Sequence, residues 1–104
     1  MFSENLYWEH NDCLLEYNVV RSMGKKEVIN IETLKPLIIN NIDSDRVSNA
    51  DMSYPILVLV DGDVVLYILD GNHRVAKALQ YKLLTIDGYV VDINSDVRLQ
   101  KIFK

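Results

Sequence analysis

Two apolar runs separated by a short acidic turn place the strongest constraint on the fold of this chain. Residues 55–60 and 64–69 flank the triplet Asp61, Gly62 and Asp63. An Asp-Gly pair between two apolar runs is a strong signal for a tight β-hairpin, because glycine accepts the positive φ that such a turn needs. Both arms are apolar on both faces, so we expect the hairpin to lie in the middle of the domain.

The second apolar run continues through Asp70 and Gly71 into a helix-forming segment, residues 72–81. A strand that turns into a helix points several unpaired backbone N–H groups at one place, and the helix dipole makes that place favourable for an anion. His73 and Arg74 in the first turn add a titratable imidazole and a forked cationic donor. The turn therefore has the chemistry of a phosphate site. The alternative is that Asp70 only caps the helix.

The rest of the chain alternates between strand and helix signals. Strand propensity is found in residues 14–20, 27–31 and 83–91, the last with a break or bulge at Asp87 and Gly88. Cap residues predict a short helix over 45–52 after Ser44 and a final helix after Asn94 or Ser95. The order of these elements predicts an α+β fold, a compact mixed β-sheet with short helices.

Composition limits the class of protein. The 104 residues are 49% hydrophobic and 25% charged, which fits a single domain over 1–104 in which 1–24 form an N-terminal extension. A net charge of −4 argues against non-specific DNA binding. Cys13 is the only cysteine, which suits a reducing cytoplasm. The longest apolar run is too short to cross a membrane, and the N-terminus lacks the apolar core of a signal peptide.

Residues 68–78, with the sequence Ile-Leu-Asp-Gly-Asn-His-Arg-Val-Ala-Lys-Ala, resemble the signature of the ParB/sulfiredoxin superfamily. Residues 54–58 and 29–36 also match its usual layout, so the resemblance runs over residues 28–92. Members of the superfamily include the CTP-binding domain of partition proteins, sulfiredoxin and ADP-dependent free serine kinases. The resemblance implies a ParB/sulfiredoxin-like fold with a nucleotide phosphate seated on the turn formed by residues 70–74.

The resemblance also implies the ligand and the residues that hold it. The ligand would be ATP, ADP or CTP, with Mg²⁺ as a possible companion ion, or another phosphorylated small molecule. Gly71 would let the backbone approach the phosphate, while His73 and Arg74 would contact its oxygens. The candidate phosphate-binding residues are Asp70, Gly71, Asn72, His73, Arg74 and Arg46.

Two departures from the sequence pattern of the superfamily limit the reactions that this chain is expected to catalyse. Sulfiredoxin needs a cysteine directly before its His-Arg pair, and Asn72 stands there, so this chain is not expected to reduce a sulfinic acid. The serine kinases use an acidic residue just after a Lys-Pro pair, and residues 37–39 are apolar here. Apolar side chains cannot serve as a general base.

If the protein is a phosphotransferase or a hydrolase, other residues must therefore supply the proton transfer. The candidate catalytic residues are Glu32, Asp51 and His73, with Glu16 as a further possible base. No metal site is predicted, because His10 and His73 are the only histidines and no carboxylate pair has compelling spacing.

Single side chains also have structural interpretations. We expect Arg74 to be exposed, either at a ligand or in an ion pair with Asp70 or Asp51. Lys77 is expected to be a solvated lysine. We expect the aromatic side chains of Trp8, Tyr7 and Tyr17 to lie in the core or at a partner contact rather than to be stacking platforms for bases.

Two functions from different classes remain open. Partition proteins continue into a helix-turn-helix region and a dimerisation segment, for which the chain has no room after the matched region. We therefore expect a stand-alone domain of the kind associated with bacteriophages. It would act either as a nucleotide-dependent enzyme or switch, or as a non-catalytic protein that uses residues 1–24 to bind a host protein or a nucleic-acid-processing complex.

Overall fold

The computed structural model describes residues 6–104, in which short helices alternate with six strands. The elements are β1 (Tyr7–His10), β2 (Cys13–Glu16), α1 (Tyr17–Ser22), β3 (Lys25–Asn30), α2 (Ile31–Leu34), α3 (Ser44–Ser48), β4 (Ile56–Asp61), β5 (Val64–Asp70), α4 (Asn72–Gln80), β6 (Thr85–Asp92) and α5 (Val97–Phe103). Short 3₁₀ turns follow α2 at Lys35–Leu37 and β6 at Ile93–Ser95. No helix within these residues has the length and apolarity needed to span a membrane.

The main sheet has four strands in the order β3-β6-β4-β5. Strand β6 runs parallel to β4 and antiparallel to β3, and β4 pairs with β5 in an antiparallel hairpin. Strands β1 and β2 form a separate antiparallel pair. The predicted α+β fold with a mixed sheet and short helices is therefore confirmed.

Each face of the sheet packs against its own apolar layer. On one face, Val75 and Ala78 of α4 pack with residues of β4 and with Ile31 and Leu34 of α2. On the other face, α1, α5 and the β1–β2 pair form a second layer, which includes the fully buried Leu99. The sheet is thus covered on both faces, which explains why residues 56–60 are all buried.

The predicted hairpin is present, with Gly62 at a φ of 59° in its turn. Strand β4 is central as expected, but β5 lies at the edge of the sheet because β6 takes the other side of β4. Strand β5 is nevertheless apolar on both faces, since Ile68 packs into one layer and Leu66 and Leu69 pack into the other.

The predicted strand over residues 14–20 is wrong beyond Glu16. Helix α1 begins at Tyr17, and both Tyr17 and Val20 are buried. Residues three apart share one face of a helix, so this spacing lets both side chains enter the same core layer. Tertiary packing thus overrides the strand propensity of a short segment.

Two predicted helix caps are displaced by one residue or two. Asp43 rather than Ser44 caps α3, with its carboxylate accepting from the N–H groups of Asp45 and Arg46. Asp96 caps α5 in place of Asn94 or Ser95, by accepting from Arg98 N. An aspartate is as good a cap as serine or asparagine, and its charge also suits the positive end of the helix dipole.

The predicted break at Asp87 and Gly88 is also absent, because β6 pairs with β3 in continuous register through both residues. A Cβ on Gly88 would lie 2.6 Å from Cδ1 of Ile29 and 2.8 Å from Cγ1 of Ile56. A glycine is therefore needed at this position because side chains pack closely over the strand, and not because the strand bends there.

Candidate functional site

A cleft of about 240 Å³ opens beside the first turn of α4. Two segments distant in sequence line it, one running from α3 to the start of β4 and the other from the end of β5 into α4. The lining residues are Arg46, Asn49, Ala50, Asp51, Tyr54, Asp70, Gly71, His73 and Arg74. Six of them, all but Asn49, Ala50 and Tyr54, are candidates from the sequence, and the fold brings these six together.

The N-terminus of α4 has no side-chain cap. Gly71 occupies the cap position with φ 106° and ψ 21°, and its carbonyl accepts from Val75 N at 3.0 Å. The alternative in which Asp70 caps the helix is therefore wrong, since the Asp70 carboxylate is used elsewhere. The N–H groups of the first turn, on residues 72–74, have no acceptor within the helix and carry the positive end of its dipole.

Gly71 is required by the packing of the turn. A Cβ at this position would lie 2.6 Å from Cγ2 and 2.9 Å from Cβ of Ile56, and its φ of 106° is one that other residues rarely adopt. The close approach that only glycine permits here is thus to the first residue of β4.

Arg74 is largely buried, with 12% of its side chain exposed, so the prediction of an exposed arginine is wrong. Its Nη1 donates to the carbonyls of Tyr54 at 2.9 Å and Pro55 at 2.7 Å, and its Nη2 donates to Oδ2 of Asp70 at 2.9 Å. The guanidinium turns inward because it satisfies two carbonyls at the start of β4. It therefore lines the cleft as a fixed cation whose charge is partly balanced by Asp70.

The side chains of Asn72 and His73 hold the loop that joins α2 to α3. Oδ1 of Asn72 accepts from Ile39 N at 3.1 Å, and Nε2 of His73 accepts from Asp43 N at 3.4 Å. Asn72 does not line the cleft, so its amide side chain is a loop anchor while its backbone N–H belongs to the first turn.

His73 is neutral in this arrangement, because an Nε2 that accepts a hydrogen bond carries no proton. Burial lowers the pKa of His73 below its ordinary value, and nearby Arg46 lowers it further, while Asp43 opposes the shift. The imidazole at the wall of the cleft could accept a proton only at Nε2, and only by giving up the hydrogen bond from Asp43 N.

Arg46 and Asp51 contribute the remaining charges. Arg46 is exposed, and among residues 6–104 its guanidinium makes no hydrogen bond or ion pair. Oδ1 of Asp51 accepts from both N and Oγ of Ser53, at 2.9 and 2.6 Å. The Ser53 hydrogen bonds lower the pKa of Asp51, so this carboxylate is ionised at neutral pH.

The other proposed bases lie elsewhere. Glu32 is exposed on α2 and Glu16 is exposed at the end of β2, and neither lines the cleft. Lys77 was expected to be solvated, but its Nζ donates to the carbonyls of Ser48 and Ala50, each at 2.9 Å. Lys77 thereby fixes the end of α3 against α4.

Three residues that line the cleft are not among the candidates from the sequence, namely Asn49, Ala50 and Tyr54. Asn49 and Ala50 stand between the candidates Arg46 and Asp51, and Tyr54 stands between Asp51 and the predicted hairpin. This position in the sequence is the signal that could have identified them as lining residues. Tyr54 is 45% exposed and also lines a second cleft of about 230 Å³, on which Lys26, Thr85 and Asp87 lie.

Comparisons of the chain with models of protein families, with curated proteins and with solved structures gave no match. Within residues 6–104, no three His, Cys, Asp or Glu side chains come together in a way that could hold a metal ion.

Proposed function

We propose that the cleft binds a phosphate-bearing small molecule, specifically a nucleotide, with its phosphate at the N-terminus of α4. One observation carries this proposal. A helix end without a side-chain cap and an arginine without a partner in residues 6–104 line the same cleft. Backbone N–H groups at a helix N-terminus together with a nearby guanidinium are a common means of binding phosphate.

The charges of the cleft support this choice of ligand. The charge of Arg74 is partly balanced by Asp70. The other charges of the cleft are Arg46, the helix dipole and the Asp51 carboxylate. The first two attract an anion. A single carboxylate beside a phosphate is a frequent arrangement for Mg²⁺, which keeps several waters and takes its other ligands from the phosphate oxygens. Asp51 would thus favour a magnesium-bound nucleotide over a bare anion.

The dimensions of the cleft limit how much of a nucleotide it could enclose. A volume of about 240 Å³ is below the roughly 300–1,000 Å³ of pockets that enclose a drug-sized ligand. The phosphate and the adjoining sugar would occupy this cleft, while the base would lie outside it against the half-exposed Tyr54. The second cleft also borders Tyr54 and has the polar side chains of Lys26, Thr85 and Asp87 in its lining.

The resemblance of residues 68–78 to the ParB/sulfiredoxin superfamily supports the same assignment and favours ATP, ADP or CTP. If the bound nucleotide is turned over, Asp51 and His73 are the proposed acid-base residues, because they line the cleft. Glu32 does not line the cleft, so we do not propose it as an acid-base residue. Without turnover, the protein would be a nucleotide-dependent switch.

A protein-binding role is the second candidate. Three large apolar side chains of the N-terminal segment, Tyr7, Leu14 and Val19, are exposed by 54%, 51% and 37%. Exposed apolar side chains close in sequence favour a contact with a partner protein. In this case the cleft would be a structural feature of the fold.

Thermal unfolding with a panel of ligands tests the proposal. ATP, ADP, CTP and pyrophosphate are compared with and without Mg²⁺, and a ligand at 100 times its Kd should add about 2.7 kcal/mol of stability. Arg46→Gln should remove most of this gain. Arg98→Gln is the matched control, because Arg98 is an exposed arginine on α5 paired with Asp96. A flat response of the wild-type protein to every ligand would contradict the proposal and favour the protein-binding role.

A further inference from the structure

Lys77 holds the C-terminal end of helix α3. Its Nζ donates to the carbonyl of Ser48, the last residue of α3, and to the carbonyl of Ala50, each at 2.9 Å. The ammonium also lies 5.8 Å from the ring centroid of Tyr81, the residue that follows α4. The last carbonyls of a helix lack donors within it and carry the negative end of its dipole, so a lysine ammonium stabilises this helix end.

The position of α3 against α4 depends on few contacts. The helix has only five residues, and a helix of this length is not stable through its own hydrogen bonds. Val47 is its one buried residue. At its N-terminal end, Asp43 N donates to Nε2 of His73 at 3.4 Å, which is long for a hydrogen bond. The contacts of Lys77 are shorter, so we expect them to contribute more to the position of α3.

Two charged residues of the cleft lie in the part of the chain that Lys77 holds. Arg46 is on α3, two residues before Ser48, and Asp51 directly follows Ala50. Both line the cleft, whose other lining segment carries the N-terminus of α4. The Arg46 guanidinium makes no hydrogen bond or ion pair with the described residues. The distance of this guanidinium from the end of α4 is therefore set by where the backbone of α3 lies.

We propose that Lys77 is a positioning residue for phosphate binding, because it holds α3 where Arg46 and the N-terminus of α4 can contact the same phosphate. This inference rests on the proposed function of the cleft. Lys77 does not line the cleft, so it acts on the ligand through Arg46. Loss of its ammonium leaves the carbonyls of Ser48 and Ala50 without this donor and lets α3 move relative to α4.

A double-mutant cycle tests whether Lys77 acts through Arg46. The affinity for pyrophosphate is measured for the wild-type protein, Lys77→Met, Arg46→Gln and the double variant, by an NMR titration that also quantifies weak binding. Methionine keeps an unbranched side chain but has no charge. Lys101→Met is the matched control, because Lys101 is an exposed lysine on α5, which packs on the other face of the sheet. Circular dichroism and urea unfolding establish that each variant is folded.

The expected result is a loss of affinity that depends on Arg46. Lys77→Met should lower the affinity about threefold to tenfold, the size expected of the coupling between two neighbouring residues, and Lys101→Met should leave it unchanged. When Arg46 is already replaced by glutamine, Lys77→Met should change the affinity by less than about twofold, because the side chain that it positions is gone.

Unchanged affinity in Lys77→Met, with pyrophosphate bound by the wild-type protein, would overturn the inference and leave the proposed function intact. An equal loss from Lys77→Met with and without Arg46 would also contradict it, since the lysine would then act through its own charge or on the whole fold. Absence of binding to the wild-type protein would overturn the proposed function, and the role of Lys77 with it. If Lys77→Met does not fold, Lys77→Gln replaces it in the cycle and the same results decide.

Discussion

The Nη2 atom of Arg74 and the Oδ2 atom of Asp70 lie 2.9 Å apart, across the turn that leads from β5 into α4. This ion pair joins the last residue of a strand to the first turn of the next helix, and Arg74 extends it to two carbonyls at the start of β4. The residues that suggest phosphate binding in the sequence therefore also build the corner of the fold. Substitutions in the turn must be interpreted with both roles in mind.

Arg74→Ala is expected to destabilise the protein by about 1.5–3 kcal/mol, because it leaves a partly buried carboxylate and two carbonyls without their charged donor. Urea unfolding measures the change. Arg98→Ala is the control, since Arg98 has 48% of its side chain exposed and its ion pair with Asp96 is a surface pair that should contribute little to stability. Equal effects of the two substitutions would show that the Arg74 contacts do not stabilise the fold.

Gly71→Ala is expected to cost more stability than Gly62→Ala. Both glycines have positive φ, so each substitution carries a backbone strain of about 1–2 kcal/mol. A Cβ on Gly62 meets nothing within 4 Å, whereas one on Gly71 meets Ile56. The clash should add about 1–3 kcal/mol, measured as a difference in the free energy of unfolding. A smaller cost at Gly71 would contradict the packing described for the turn.

Local signals in the sequence predicted the elements around the turn well. The Asp-Gly hairpin, the strand that leads to Asp70 and the helix after Gly71 are all present, because turn chemistry and apolar runs act over a few residues. The structural roles of two glycines could not be predicted from local sequence signals. The roles of Gly71 and Gly88 depend on Ile56, which packs against both and is distant in sequence from each.

The contacts of the cleft were partly beyond prediction for the same reason. The sequence marked Arg46 and Asp51 as candidates, but only the fold shows that Arg74 turns towards the carbonyls of Tyr54 and Pro55. Tertiary contacts also explain why residues 17–20, which the sequence predicts to be a strand, lie in helix α1.

Stability should fall as the pH is lowered below about 6.5, because the pKa of His73 is lowered in the folded protein. The unfolded chain then binds the proton more tightly, so the contribution is complete above the ordinary pKa of 6.5 and is lost as the pH falls from there through the lower pKa of the folded state. Urea unfolding at several pH values measures the slope.

His73→Gln should flatten that slope, since glutamine keeps an acceptor but does not titrate. His10→Gln is the control, because His10 is exposed in β1, distant from the cleft residues in sequence. An unchanged slope in His73→Gln would rule out His73 as the origin of the pH dependence.

Leu59→Ala should destabilise the protein by about 2–5 kcal/mol, because Leu59 is fully buried in the central strand β4. Leu66→Ala in the edge strand β5 should cost less, since Leu66 is only partly buried. The free energies of unfolding of the two variants, from urea titrations, give the comparison. A larger cost at Leu66 would contradict the placement of β5 at the edge of the sheet.

The most direct test of the central claim is the NMR titration of the backbone amides with ADP and Mg²⁺. If the helix end receives the phosphate, the amide resonances of Asn72, His73 and Arg74 should show the largest saturable shifts, and Arg46→Gln should weaken the titration. The claim is contradicted if these three amides do not shift at saturating nucleotide, or if the shifts concentrate on residues outside the cleft.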